Sequence, residues 1–186
     1  MTDEHETLVV LDDDYSAERG IPIDLSFKRI TLRQLQDSKP LEEWKSLIHF
    51  VPPSSCGSIM ASDGNEWFDE VRTRLGKTLA VVQKVGSLVR AHRGRILVIW
   101  DEGSGSADAQ TAISGGLASM VKALALDYAP HHIGINGLVI PNVRAGVRPR
   151  TLQACAEFLS TRTAEAMIGQ IIVPGSATQS GSWKTW

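Results

Sequence analysis

At 186 residues the chain is long enough for one well-packed domain and too short for two ordinary ones. Its 42% hydrophobic and 22% charged residues are the proportions of a soluble globular protein. The 19 basic and 21 acidic residues leave a net charge of −2 with no long basic run. That balance argues against nucleic-acid binding driven by phosphate neutralisation, and no apolar run approaches a membrane span.

In chain order, Thr7–Leu11 (TLVVL) is a short β-branched run ending at Asp12–Asp14 and predicts a buried strand. Ile21–Leu25 (IPIDL) predicts a second extended segment, confined by Pro22 to an edge or a strand start. Thr31–Trp44 carries Leu32, Leu35 and Trp44 among charged residues and reads as a helix or a helix plus turn. Ser46–Val51 (SLIHFV) is a strand stopped by Pro52–Pro53. Asn65–Arg90 is a long helix: Asn65 can cap it, and Trp67, Val71, Leu75, Leu79, Val82, Val85 and Val89 recur at helical spacing.

Gly94 then breaks the chain before Arg95–Trp100 (RILVIW), the clearest buried strand, and Asp101–Ala109 reads as a loop. Ser114–Tyr128 predicts a second strong helix, with Leu117, Met120, Val121, Leu124, Ala125 and Tyr128 on one face. After Pro130 come a strand, Ile133–Ile140, a helix, Thr151–Ser160, and a last strand, Gln170–Val173. Strands alternating with helices imply parallel strands with crossover helices on both faces, a doubly wound α/β sheet. The expected organisation is a single degenerate Rossmann-like domain over residues 1–175 and a tail over 176–186.

Cys56 and Cys155 have no metal-ligand spacing and read as reduced thiols. The acidic opening MTDEHETLVV shows no secretory pattern, so a cytoplasmic location is expected.

Three stretches carry a resemblance: NEWFDEVRTRLGKTLAVVQKVGSLVRAHRGRILVIW, GGLASMVKALALDYAPHHIGINGLVIP and RPRTLQACAEFLSTRTAEAMIGQIIVPGS. In order and spacing, Asn65 to Val173 resembles the C-terminal two-thirds of a short-chain dehydrogenase/reductase. The resemblance implies a long interface helix and the central strand, then the next helix and the strand leading to a Pro-Gly turn. A closing helix and last strand follow.

It also implies four catalytic positions, and each holds another residue here. The tyrosine that exchanges the substrate proton is matched by Gln110, and the lysine one helical turn later by Ser114. Glutamine has no titratable proton and serine no positive charge. The serine that polarises the carbonyl aligns with Trp100 and Asp101, and the asparagine of the long helix with Arg74. An anionic Asp101 would oppose a developing oxyanion.

The cofactor positions depart in the same way. Where closely spaced glycines should let backbone approach a pyrophosphate, the chain has Asp12-Asp13-Asp14-Tyr15. Three carboxylates there repel a phosphate. His49-Phe50-Val51-Pro52 and Pro141-Asn142 stand in place of the family's other two turns, and only Asp24 resembles its adenine-contacting aspartate. About 35 residues lie between TLVVL and SLIHFV, too few for two strand–helix units when a crossover takes at least ~10–12 residues. The nucleotide-binding half is therefore expected to be truncated. Pro141 to Arg148 is likewise too short for a substrate-covering loop.

Other chemistry weighs less. Ser114 with His131, His132 and Asp101 has the residue types of a serine hydrolase, but no G-x-S-x-G elbow is present and a helix-capping serine is the plainer reading. Asp12–Asp14 offers oxygen ligands for a divalent cation without further ligands nearby. Arg144, Arg148 and Arg150 form a small basic cluster, read as a surface loop or an interface.

The resemblance implies that the helices Asn65–Arg90 and Ser114–Tyr128 pair with their counterparts in a second subunit. Ala118, Ser119, Ala123 and Ala125 are small enough for close helix approach, although core packing alone also explains apolar helices. The expectation is a catalytically inactive subunit, not itself an enzyme. It would form a hetero-oligomer, a heterotetramer in the family's manner, with an active NAD-dependent paralogue acting on a hydroxyacyl-CoA or an alcohol. This chain would hold no cofactor and no metal, with NAD in the partner.

The arrangement is similar in kind to hydroxyacyl-CoA dehydrogenases that pair an active with an inactive family subunit, as in anaerobic toluene degradation. Trp183 and Trp186 in the tail are candidate anchors on that partner. A stand-alone Rossmann-like binding module and a residual oxidoreductase are the other two readings.

Overall fold

In the computed structural model, the described residues are 7–11, 28–37, 46–54, 56, 58, 63–89, 94–102, 109–141, 149–161 and 164–174. Six parallel strands form one sheet: β1 (Thr7–Leu11), β2 (Lys28–Thr31), β3 (Ser46–Val51), β4 (Arg95–Asp101), β5 (Gly134–Ile140) and β6 (Ile171–Ile172). Their order is β2-β1-β3-β4-β5-β6. The helices are α1 (Leu32–Asp37), α2 (Gly64–Val89), α3 (Ala109–Tyr128) and α4 (Pro149–Ser160).

The unbroken apolar run of β4 follows from burial on both faces, as parallel sheets require. Ile96, Val98 and Trp100 point to one side, with Val81, Val82 and Val85 of α2 and Ile113, Leu117 and Val121 of α3. Leu97 and Ile99 point to the other, with Leu152, Ala156 and Leu159 of α4. Helices on both faces make this the doubly wound, Rossmann-like sheet expected from the alternation. One strand, β2, lies between β1 and β3 in the chain among the described residues, where the resemblance would have two. Among the described residues the N-terminal half thus holds one strand fewer than the resemblance implies.

Several boundaries move. The segment Ile21–Leu25 lies outside the described residues; the strand paired with β1 is Lys28–Thr31 instead. Its KRIT sequence gives almost no apolar signal, which suits an edge position. Within Thr31–Trp44, expected as a helix or a helix plus turn, the described helix is the six-residue α1, and residues 38–44 lie outside the described residues. This helix opens on a reciprocal cap: the Gln34 N–H donates to Thr31 Oγ1 at 3.3 Å and the Thr31 N–H to Gln34 Oε1 at 2.9 Å.

Asn65 does not cap α2. Asp63 does, its Oδ1 accepting the Asn65 N–H at 3.0 Å and its carbonyl the Trp67 N–H at 3.1 Å. The largest correction concerns α3, which begins at Ala109, five residues before Ser114. Ala109, Ile113 and Leu117 are all buried at four-residue spacing, so one apolar face carries the helix through Gly115–Gly116. Among the described residues, no helix is long and apolar enough to cross a membrane.

Candidate functional site

Open parallel sheets bind ligands beyond the carboxyl ends of their strands, where the strand order reverses. Here the reversal falls between β1 and β3. The described residues at that end include Pro52–Ser54 after β3, Asp101 and Glu102 at the end of β4, Pro141 after β5, and the first turns of α3. The Asp12–Asp14 run and Asp24 lie outside the described residues, as do Arg144, Arg148, Asn142, Trp183 and Trp186.

Gln110 occupies the first turn of α3 and is only 4% exposed. Its Nε2 donates to the Asp101 carbonyl at 2.5 Å, and its Oε1 accepts the Ser54 N–H at 2.7 Å. The side chain thus ties the loop after β3 to the end of β4. Ser54 Oγ continues the chain by accepting the Cys56 N–H at 3.1 Å. An amide suits this place because it offers a donor and an acceptor at once.

Ser114 lies one helical turn further on. It is no cap: its Oγ accepts the Trp100 Nε1–H at 2.9 Å. Trp100 is fully buried, and its ring covers Gly137 on the neighbouring strand, so that a Cβ at Gly137 would collide with it. The Glu102 N–H donates to the Ile140 carbonyl at 2.9 Å and holds β4 against β5 just beyond Asp101.

Of the four residues that the resemblance sets at catalytic positions, Asp101 and Gln110 are joined directly and Ser114 is attached to Trp100 beside them. Arg74 is engaged within α2, its Nε 3.0 Å from Glu70 Oε1. Its carbonyl accepts the Thr78 hydroxyl at 3.0 Å, and Thr78 Oγ1 lies 3.3 Å from Nε2 of the buried His49. Sequence reasoning missed the Trp100–Ser114 bond. The signal was a tryptophan ending a fully buried strand, whose indole N–H must find an acceptor.

The hydrolase reading fails on distance. His131 and His132 are exposed beyond the far end of α3, and about 20 Å of helix separates Ser114 from Tyr128 alone. Among the described residues, no group of three His, Cys, Asp or Glu side chains is placed to hold a metal ion. Cys155 on α4 is a half-buried thiol whose pKa burial pushes up.

No family model and no curated protein matches the sequence. Solved structures do match the fold. An oxidoreductase of the short-chain dehydrogenase/reductase family from Burkholderia thailandensis is 18% identical with a TM-score of 0.72, covering 95% of this chain and 93% of that one. The ligand-free aldohexose dehydrogenase of Thermoplasma acidophilum is 14% identical with a TM-score of 0.72, covering 99% of each chain. A short-chain dehydrogenase from Leptospira borgpetersenii with bound NAD+ is 16% identical with a TM-score of 0.68, covering 92% of each. At these identities the likeness is one of fold, and the fold is that of the short-chain dehydrogenases.

The comparisons correct one expectation, that the chain is not an enzyme. The three solved structures named above are dehydrogenases or reductases, so the comparisons give that expectation no support; at 14–18% identity they show the fold.

Proposed function

We propose that the chain is a subunit of an NAD-dependent oxidoreductase of the short-chain dehydrogenase type, assembled with a paralogous subunit through α2 and α3. The observation that carries this reading is the outward side of those two helices. Gly76 of α2 and Gly115 of α3 are exposed, and a Cβ at either would meet nothing within 4 Å. Glycine inside a helix costs about 1 kcal/mol relative to alanine, and nothing among the described residues requires it at these two positions. Close approach of a second chain's helices supplies a reason.

Leu75 packs against Gly116, so both open glycines flank the contact between α2 and α3. Ala80, Ser119 and Ala123 extend the same small, exposed surface, and Leu126 adds an apolar side chain that is 76% exposed. Core packing accounts for the inner faces of these helices and leaves the outer ones unexplained. Of the small residues expected on this surface, Ala125 is buried inside the chain and Ala118 packs on the core, while Ser119 and Ala123 face outward.

In this reading NAD is held by the partner, a heterotetramer is the expected assembly, and the substrate is a hydroxyacyl-CoA or an alcohol. The test is co-expression with a complete short-chain dehydrogenase encoded beside it. Co-purification at fixed stoichiometry, with dehydrogenase activity in the complex, is the expected result. A chain that stays monomeric in the presence of that paralogue overturns the proposal.

A second reading, that the chain itself carries out oxidoreduction, is favoured by Asp101, a half-exposed carboxylate ending the central strand. A carboxylate there can exchange a proton with a substrate. Saturable NAD(H) binding to the chain alone, with turnover lost in Asp101→Asn, would select this reading over the first.

A further inference from the structure

We draw no further inference here: the strongest candidate, the exposed apolar side chains of Phe158 on α4 and of Ile168 just before the edge strand β6, carries nothing because nothing in the structure shows what covers them.

Discussion

The indole N–H of Trp100 donates to the hydroxyl of Ser114 across 2.9 Å, joining the end of the central strand to the second turn of α3. The bond lets a large amphipathic ring lie fully buried with its polar edge satisfied. Ser114→Ala leaves that N–H without its acceptor and is expected to lower stability by about 1–3 kcal/mol. Trp100→Ala also opens a cavity against Gly137, and its expected loss is about 3–5 kcal/mol. Urea unfolding of the two variants checks the order; a neutral Ser114→Ala would show that the hydroxyl is dispensable.

Replacing Gln110 with tyrosine, the residue type the family carries there, should destabilise the chain. Both ends of the Gln110 amide are committed, to the Asp101 carbonyl and the Ser54 N–H. The amide serves them with two separate atoms, a phenol has a single oxygen at the far end of a rigid ring, and the site has little room for that ring when the residue is 4% exposed. A loss of about 2 kcal/mol or more is expected from the orphaned backbone groups. Thermal unfolding measures it, and an unchanged Tm contradicts the clamp.

Asn136 holds the last strand in register. From the middle of β5, its Nδ2 donates to the Met167 carbonyl at 2.8 Å and its Oδ1 accepts the Gln170 N–H at 3.0 Å. Asn136→Leu removes the partners of two partly buried backbone groups, with an expected loss of about 1–3 kcal/mol. Amide exchange should accelerate first at Ile171 and Ile172. Protection there equal to the parent chain would argue that the strand is held by packing alone.

The helical glycines divide into two kinds, and alanine separates them. Gly76→Ala and Gly115→Ala place a methyl group in open space and should stabilise the isolated chain by about 0.5–1 kcal/mol each. In Gly86→Ala the new Cβ collides with the Tyr128 ring, and overpacking of this kind costs about 1–3 kcal/mol. If α2 and α3 meet a partner, Gly76→Leu and Gly115→Leu should abolish co-purification while the isolated chain's Tm does not fall. Intact assembly in both leucine variants would place the partner elsewhere.

Cys155 gives a prediction with a sign in pH. Burial disfavours its thiolate, so the folded pKa lies above the unfolded one and the folded chain keeps its proton longer. The contribution to stability is fully present below the ordinary thiol pKa and is lost as pH rises from there through the raised folded value. Alkylation by iodoacetamide at neutral pH should be slower in the folded chain than in the urea-denatured one, because the thiolate is the nucleophile. Equal rates would mean that the thiol is not shielded.

Local order along the chain was enough to determine the sheet and its layers. The apolar runs TLVVL, SLIHFV, RILVIW and IGINGLVI, and the 3.6-residue periodicity of α2, α3 and α4, are properties of consecutive residues, and all became elements, close to their expected bounds except at the start of α3. What consecutive residues do not carry was decided only in three dimensions. Strand β2 has a charged, nearly featureless sequence, and it forms because the edge of β1 offers its backbone partners. The start of α3 depends on burial of Ala109 and Ile113 beneath the sheet, which overrides the break that Ser114-Gly115-Gly116 seems to announce in print.

The roles of Gln110 and Ser114 belong to the same category. Sequence placed them one helical turn apart, at the positions where the resemblance implies a tyrosine and a lysine. Only the fold brought Asp101, Ser54 and the Trp100 indole within hydrogen-bonding reach of them. The reason is physical. Periodicity records which side of an element faces the core, whereas a hydrogen bond between residues 56 positions apart exists only once separate elements have packed.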